Sequence, residues 1–237
     1  MAGPDATRET PIGRRVFLGM VGLGGLGVLF GARIQDRLER VTHAVAGRFG
    51  LESVAPSGRF RIYTVTGSLP QRSEAEYRLR VGGYVDRELD LTFAELKDMP
   101  VTGLTRDFQC VTGWRVHDVK WKGVRLAELL DRAGVRAGAG GVRFYSFDGR
   151  YTESLTLDQA RRDDVIVAWE MLGKPVTTAH GGPVRLYVAP MYGYKSCKWL
   201  ERVEVTEGPP APGFWEERGY DVDAWIGRSN GRDDPPV

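Results

Sequence analysis

The chain has 237 residues, 33 Lys+Arg against 31 Asp+Glu, and a formal net charge of +2 at pH 7, a balance that leaves no electrostatic footprint for nucleic acid. Two cysteines and three histidines exclude a disulfide scaffold and any zinc site built from CxxC pairs. With 42% hydrophobic residues and charges of both signs mixed along it, the chain has ample material for a buried core.

Residues 1–13 are polar, and Arg14-Arg15 then precede a run from Val16 to Ala32 that holds only apolar residues and glycine. Paired arginines before a weakly hydrophobic, glycine-rich stretch resemble a twin-arginine export signal. As a helix the run reaches roughly 25 Å, at the short limit for spanning a bilayer. The small-x-small site Ala44-Val45-Ala46 lies beyond the charged stretch 33–40, a poor context for cleavage. Residues 1–32 are therefore read as an uncleaved anchor, with Arg14 and Arg15 on the cytoplasmic side. Residues 33–58 form a stalk: Ile34, Leu38, Val41 and Val45 recur at helical spacing until Ala55-Pro56-Ser57-Gly58 breaks them.

From residue 59 to 207 the pattern is mixed. Residues 60–65 and 77–81 alternate as strands do, and Thr92-Phe93-Ala94-Glu95 reads as a capping box opening a short helix that Pro100 stops. Leu126, Leu129, Leu130 and Ala133 make one helical face closed by Gly134. Residues 142–147 and 184–189 alternate as strands, while the continuous apolar run of 164–169 is that of a central strand. The tail, 208–237, is rich in Pro, Gly and charge, with Phe214, Trp215, Tyr220 and Trp225 available to pin it to the body. The fold class is α+β: one domain of mixed sheets and short helices, preceded by the N-terminal helix.

Cys110 ends the strand 104–109 and enters a Thr-Gly turn beside Arg115. An exposed, electropositive turn favours a thiolate, and by spacing alone this one is equally a soft-metal ligand or a nucleophile. His117 and Asp118 fall in the loop that follows, facing either substrate or solvent. Arg185 taken alone reads as a surface ion-pair partner, and His180 before Gly-Gly as a turn residue.

The segment Asp107-Phe108-Gln109-Cys110-Val111-Thr112-Gly113-Trp114 with Trp121-Lys122-Gly123-Val124 resembles the cofactor-binding segment of the sulfite-oxidase-type molybdopterin oxidoreductases. His180-Gly181-Gly182-Pro183-Val184-Arg185-Leu186 and Tyr192-Gly193-Tyr194-Lys195-Ser196-Cys197-Lys198-Trp199-Leu200 are similar to the family's pterin-phosphate segment. The likeness covers residues 60–207 in order and is strongest to the single-domain, exported members that reduce methionine sulfoxide.

The resemblance implies a molybdenum–molybdopterin cofactor, with Cys110 giving a thiolate to the metal and Arg115 and His117 placed near the chemistry. Arg185 and Lys198 would hold the phosphate, helped by the backbone N–H groups of Ser196 and Cys197, with Gly181 and Gly182 letting the chain approach the pterin. His180, and less closely Tyr63 and Thr64, would line the pterin, while the Cys197 side chain fills space. With Cys110 occupied by metal, no disulfide to Cys197 is expected. The implied enzyme is a monomer that transfers an oxygen atom to or from a small molecule, sulfoxide-type substrates first and sulfite-like anions second; a cofactor-free binding protein on the same fold is the reading from another class. No haem module, dinucleotide fingerprint or iron–sulfur cysteine run stands in the sequence, so a membrane haem protein or cytochrome is expected to exchange its electrons. The expected location is the extracytoplasmic face of the membrane.

Overall fold

The computed structural model describes residues 60–228. The expected anchor and stalk lie outside these residues, and among the described helices none is long and apolar enough to cross a membrane. The chain separates into one unit of residues 1–57 and another of 58–237; the account below concerns the second.

In chain order the strands are β1 (Arg78–Gly83), β2 (Leu89–Thr92), β3 (Val101–Gln109), β4 (Arg115–Arg125), β5 (Ala139–Ser146), β6 (Thr152–Thr156), β7 (Val165–Met171), β8 (Lys174–Pro175), β9 (Arg185–Val188) and β10 (Leu200–Glu207). The helices are α1 (Phe93–Lys97), α2 (Leu126–Ala133) and α3 (Leu157–Ala160). One five-stranded sheet runs β2-β1-β10-β5-β6, antiparallel except where β1 lies parallel to β10. The other runs β3-β4-β7-β8, with β9 pairing the first half of β7.

Local sequence explains these elements. Thr92 and Glu95 cap α1 reciprocally: the Glu95 N–H donates to Thr92 Oγ1 at 3.2 Å and the Thr92 N–H to Glu95 Oε2 at 2.8 Å. In α2, Leu126, Leu129, Leu130 and Ala133 are all buried, and Gly134 ends it in the left-handed conformation. β7 is buried on both faces. Its Val165, Val167 and Trp169 join the core shared with the first sheet, while Ile166, Ala168 and Met171 join a second cluster with Phe108, Val119, Trp121 and Tyr187. Its continuous apolar run follows from having no solvent face.

Two sequence expectations need correction. Residues 60–65 form no strand. Phe60 leaves the chain to pack on Phe108, Trp114 and His180, with ring centroids 5.4, 6.0 and 4.9 Å away, so its place in the alternation reflects a cavity wall and not a sheet face. His117 and Asp118 are not in a loop but inside β4. There the register slips between Arg106 and Phe108, so two residues of β4 face Asp107 alone, a β-bulge. Asp107 accepts from the Asp118 N–H through Oδ1 at 3.1 Å, and its Oδ2 lies 2.9 Å from His117 Nδ1.

Candidate active site

Cys110 follows the last residue of β3, in the turn to β4. Its backbone closes that turn: the Cys110 N–H donates to the Trp114 carbonyl at 2.9 Å, and the Gly113 N–H donates back to the Cys110 carbonyl at 3.1 Å. Thr112 Oγ1 donates to Cys110 Sγ at 3.2 Å. The cysteine is half-buried and not in a disulfide. It opens on a cavity of about 390 Å³, walled by Phe60, Phe108, Trp114, Trp199, Trp215 and Tyr220.

The same cavity reaches Tyr63, Thr64, His180, Arg185, Ser196 and Lys198. Arg185 is 3% exposed. Its guanidinium donates to the carbonyls of Leu186, His180 and Ser196, at 3.3, 2.7 and 3.1 Å, and lies over the rings of Phe108 and Trp121. Those carbonyls satisfy donors without cancelling the charge. Lys198 donates to the Tyr63 carbonyl and, among the described residues, also has no carboxylate in contact. Burial and then the Arg185 charge bring its ammonium down to about 8. Burial, Arg185 and Lys198 together lower His180, so its imidazole is neutral at pH 7. The wall carboxylate, Asp148, accepts the N–H groups of Arg150 and Tyr151 at 2.8 Å each, and its charge offsets only part of the effect of burial and of Arg185 on Lys198.

A buried cation without a counter-ion is costly. The cavity thus carries its own requirement for an anionic group, alongside a cysteine sulfur able to take a soft metal. These features fit a metal-bearing, phosphate-ended cofactor.

Not every sequence candidate reaches the cavity. Arg115 is held along the hairpin by Gln109 Oε1, 2.8 Å from its Nε, and His117 stands by Asp107; neither lines the cavity. The Ser196 N–H donates to the Gly193 carbonyl at 3.2 Å, and its hydroxyl accepts from the Val188 N–H at 3.0 Å, so both groups brace the turn. Cys197 is fully buried beside the cavity and not in its wall, and burial keeps its thiol protonated. Gly181, at φ +97°, and Gly182 allow the chain to pack on itself: a Cβ there would lie 2.5 Å from the Lys198 side chain and 1.9 Å from the Val176 carbonyl. Lys198 is seated by that close approach.

Other wall residues escaped sequence reasoning. Tyr151 sits behind the Asp148–Arg150 turn, its hydroxyl donating to the Tyr194 carbonyl. Trp215 and Tyr220 arrive from the tail, which Lys195 secures. Fully buried, Lys195 binds Glu153 at 2.6 Å and Glu216 of the tail. Burial holds Glu153 well above the usual carboxylate range, while the two carboxyls outweigh the effect of burial on Lys195 and raise it. The turn dipeptides and aromatic residues were visible, but no local pattern joined them to the cavity.

Over residues 66–215 the chain matches the model of the oxidoreductase molybdopterin binding domain. It is 36% identical over 163 residues to the uncharacterized oxidoreductase YuiH of Bacillus subtilis, across 68% of this chain and 81% of that protein. To the putative protein-methionine-sulfoxide reductase subunit YedZ1 of Azospira oryzae it is 28% identical over 240 residues, across 93% and 89%. The fold resembles that of the sulfane dehydrogenase SoxCD from Paracoccus pantotrophus, with a TM-score of 0.56 at 23% identity over 68% of this chain and 47% of that one.

Proposed function

Because the chain belongs to the oxidoreductase molybdopterin-binding family, we propose that it is a molybdenum–molybdopterin enzyme that reduces sulfoxide-type small molecules with electrons from a membrane haem protein. The observation that carries this reading is one cavity lined both by Cys110 and by two cations, the buried Arg185 and the half-buried Lys198, that have no carboxylate hydrogen-bonded to them among the described residues. When bound, the cofactor supplies a metal centre that exchanges an oxygen atom and two electrons.

The chain's own residues would hold, orient and enclose. Cys110 offers a thiolate to the metal, supported by the Thr112 hydroxyl. Arg185, fixed by three carbonyls, presents a rigid cationic surface to the phosphate, and Lys198 adds a point charge. Neutral His180 can donate or accept a hydrogen bond at the pterin without adding a third charge. Phe60, Trp114, Trp215 and Tyr220 give the cavity its aromatic walls. In the overall change a sulfoxide takes up two electrons and two protons and leaves as the sulfide, its oxygen departing as water. The aromatic walls favour a weakly hydrated sulfoxide over a strongly hydrated anion, and similarity to a putative methionine-sulfoxide reductase subunit points the same way.

The proposed setting is the extracytoplasmic face of the membrane, with residues 1–32 as twin-arginine signal and anchor, 33–58 as stalk, 59–207 as the catalytic domain and 208–237 as a tail packed on it. A cofactor bound into the folded state has to be loaded before export, which suits a route for folded proteins. The functional test compares purified protein from a molybdenum-replete host with reduced viologen plus a sulfoxide, and with sulfite plus an electron acceptor. Sulfoxide reduction is expected. Sulfite oxidation alone would reverse the direction, and protein without molybdenum or pterin would remove the enzyme reading.

A further inference from the structure

Behind Tyr151 lies a second hollow, of about 580 Å³, in which Arg72, Arg78, Arg80, Arg150 and Arg202 face two carboxylates, Glu76 and Glu201. It is built on the solvent face of the first sheet. Leu79 and Val81 of β1 point into the core, so Arg78 and Arg80 point out. β10 lies alongside in parallel, and its register sets Arg202 directly against Arg80.

Like charges facing each other across neighbouring strands oppose sheet formation. Partners relieve part of the charge: Arg72 pairs with Glu201 at 3.2 Å, Arg78 with Asp90 at 2.7 Å and Arg202 with Glu204 at 3.4 Å. Arg80 and Arg150 have no ion pair among the described residues, and both are exposed. The unpaired positive charge is therefore carried by one residue on a sheet face and one in a tight turn. Tyr151 lines both this basin and the cofactor cavity, so one residue forms a wall common to the two.

We propose that this arginine basin is where an electron-carrier protein docks, through the acidic rim around its redox group. The inference rests on the reading of the chain as an oxidoreductase served by a separate carrier. Charge complementarity selects an acidic partner and speeds its approach. The shared Tyr151 wall brings the docked redox group close to the cofactor. Two ferrous haems, each oxidised by one electron, balance one sulfoxide reduced, with two protons taken from solvent and one water released.

The test uses full-length, cofactor-loaded protein and the soluble domain of an acidic b-type cytochrome as probe, with a lysine-rich c-type cytochrome as control. Stopped-flow oxidation of the reduced b-type haem is followed against ionic strength for wild type and for Arg80→Glu/Arg150→Glu. At low salt the variant is expected to lose about tenfold or more in second-order rate, the two curves converging as salt screens the charges. Sulfoxide turnover driven by reduced viologen should not change, and Arg80→Gln/Arg150→Gln should fall between wild type and the reversal. Calorimetric binding of the same cytochrome supplies a readout independent of turnover. If viologen-driven turnover is absent from wild type, the enzymatic reading fails, and loss of cytochrome binding in the variant still decides the docking site. Equal rates and equal binding in wild type and variant would overturn the proposal. So would variant-sensitive binding to phosphatidylglycerol vesicles or to inorganic pyrophosphate with none to the cytochrome, which would assign the basin to a lipid surface or a small anion.

Discussion

Arg185 and Lys198 face one cavity, and the charge of the first makes the second easier to deprotonate: burial and then Arg185 bring the Lys198 ammonium from 10.5 down to about 8. Arg185 is itself lowered to about 10 by burial and stays cationic at neutral pH. A bound anion would reverse the effect on Lys198, which makes the lysine a reporter of the site.

Lys198 titrates near 10.5 in the unfolded chain and near 8 in the folded one. Between those values the unfolded chain binds the extra proton, so the stability of cofactor-free protein should rise with pH through this window and be lost as pH falls toward 8. The full contribution is roughly 3 kcal/mol, read as the difference between wild type and Lys198→Met in urea unfolding from pH 7.5 to 10. Inorganic phosphate binding to cofactor-free protein near pH 8.5 should take up a proton in wild type and not in the variant, measured calorimetrically in buffers of different ionisation enthalpy. A flat difference with pH would remove Lys198 from the anion site.

Arg185→Ala should weaken cofactor retention through loss of a charged contact worth about 1.5–3 kcal/mol. Pterin content after dialysis is the measurement. Full occupancy with only KM altered would place Arg185 on the substrate side.

Cys110→Ser should abolish molybdenum-centred activity, because a hydroxyl does not replace a soft thiolate ligand. Cys197→Ala deletes one buried sulfur away from the cavity wall and should keep activity at a modest cost in stability. Parallel metal analysis and sulfoxide turnover separate the two, and equal loss in both variants would contradict their different roles.

Lys195→Met would leave Glu153 and Glu216 buried around an apolar side chain. Removing one partner of a buried ionic cluster costs about 3–5 kcal/mol, so the urea midpoint should fall sharply. Lys195 does not line the cavity, but the tail it holds carries Trp215 and Tyr220 into the wall. Glu216→Gln, a milder change, should speed cofactor loss while cytochrome docking persists.

Replacing Arg14-Arg15 by Lys-Lys should strand active, cofactor-loaded enzyme inside the cell. Fractionation with an activity assay reads the outcome. Normal export would contradict the twin-arginine reading, and soluble wild-type enzyme outside the cytoplasm would contradict the anchor.

Local patterns made several elements legible before any fold was known. The capping box at Thr92 and Glu95, the apolar face of α2 and the two-sided burial of β7 depend on residues within a few positions of one another, and the periods of helix and strand write them directly into the chain. Cys110 could be placed at a strand end for the same reason, and motif likeness joined it to His180, Arg185 and Lys198. What the tertiary structure alone decided was the environment of each charge. Arg185 looks like a surface residue in its strand and is instead buried among carbonyls and aromatic rings. His117 looked free to meet substrate, and a bulge turned it to Asp107. Lys195 meets Glu153 and Glu216, separated from it by 42 and 21 positions. Periodicity tells which way a side chain points; whether a counter-charge waits there depends on segments brought together only by the folded sheets, and that proximity sets the desolvation and Coulomb energies.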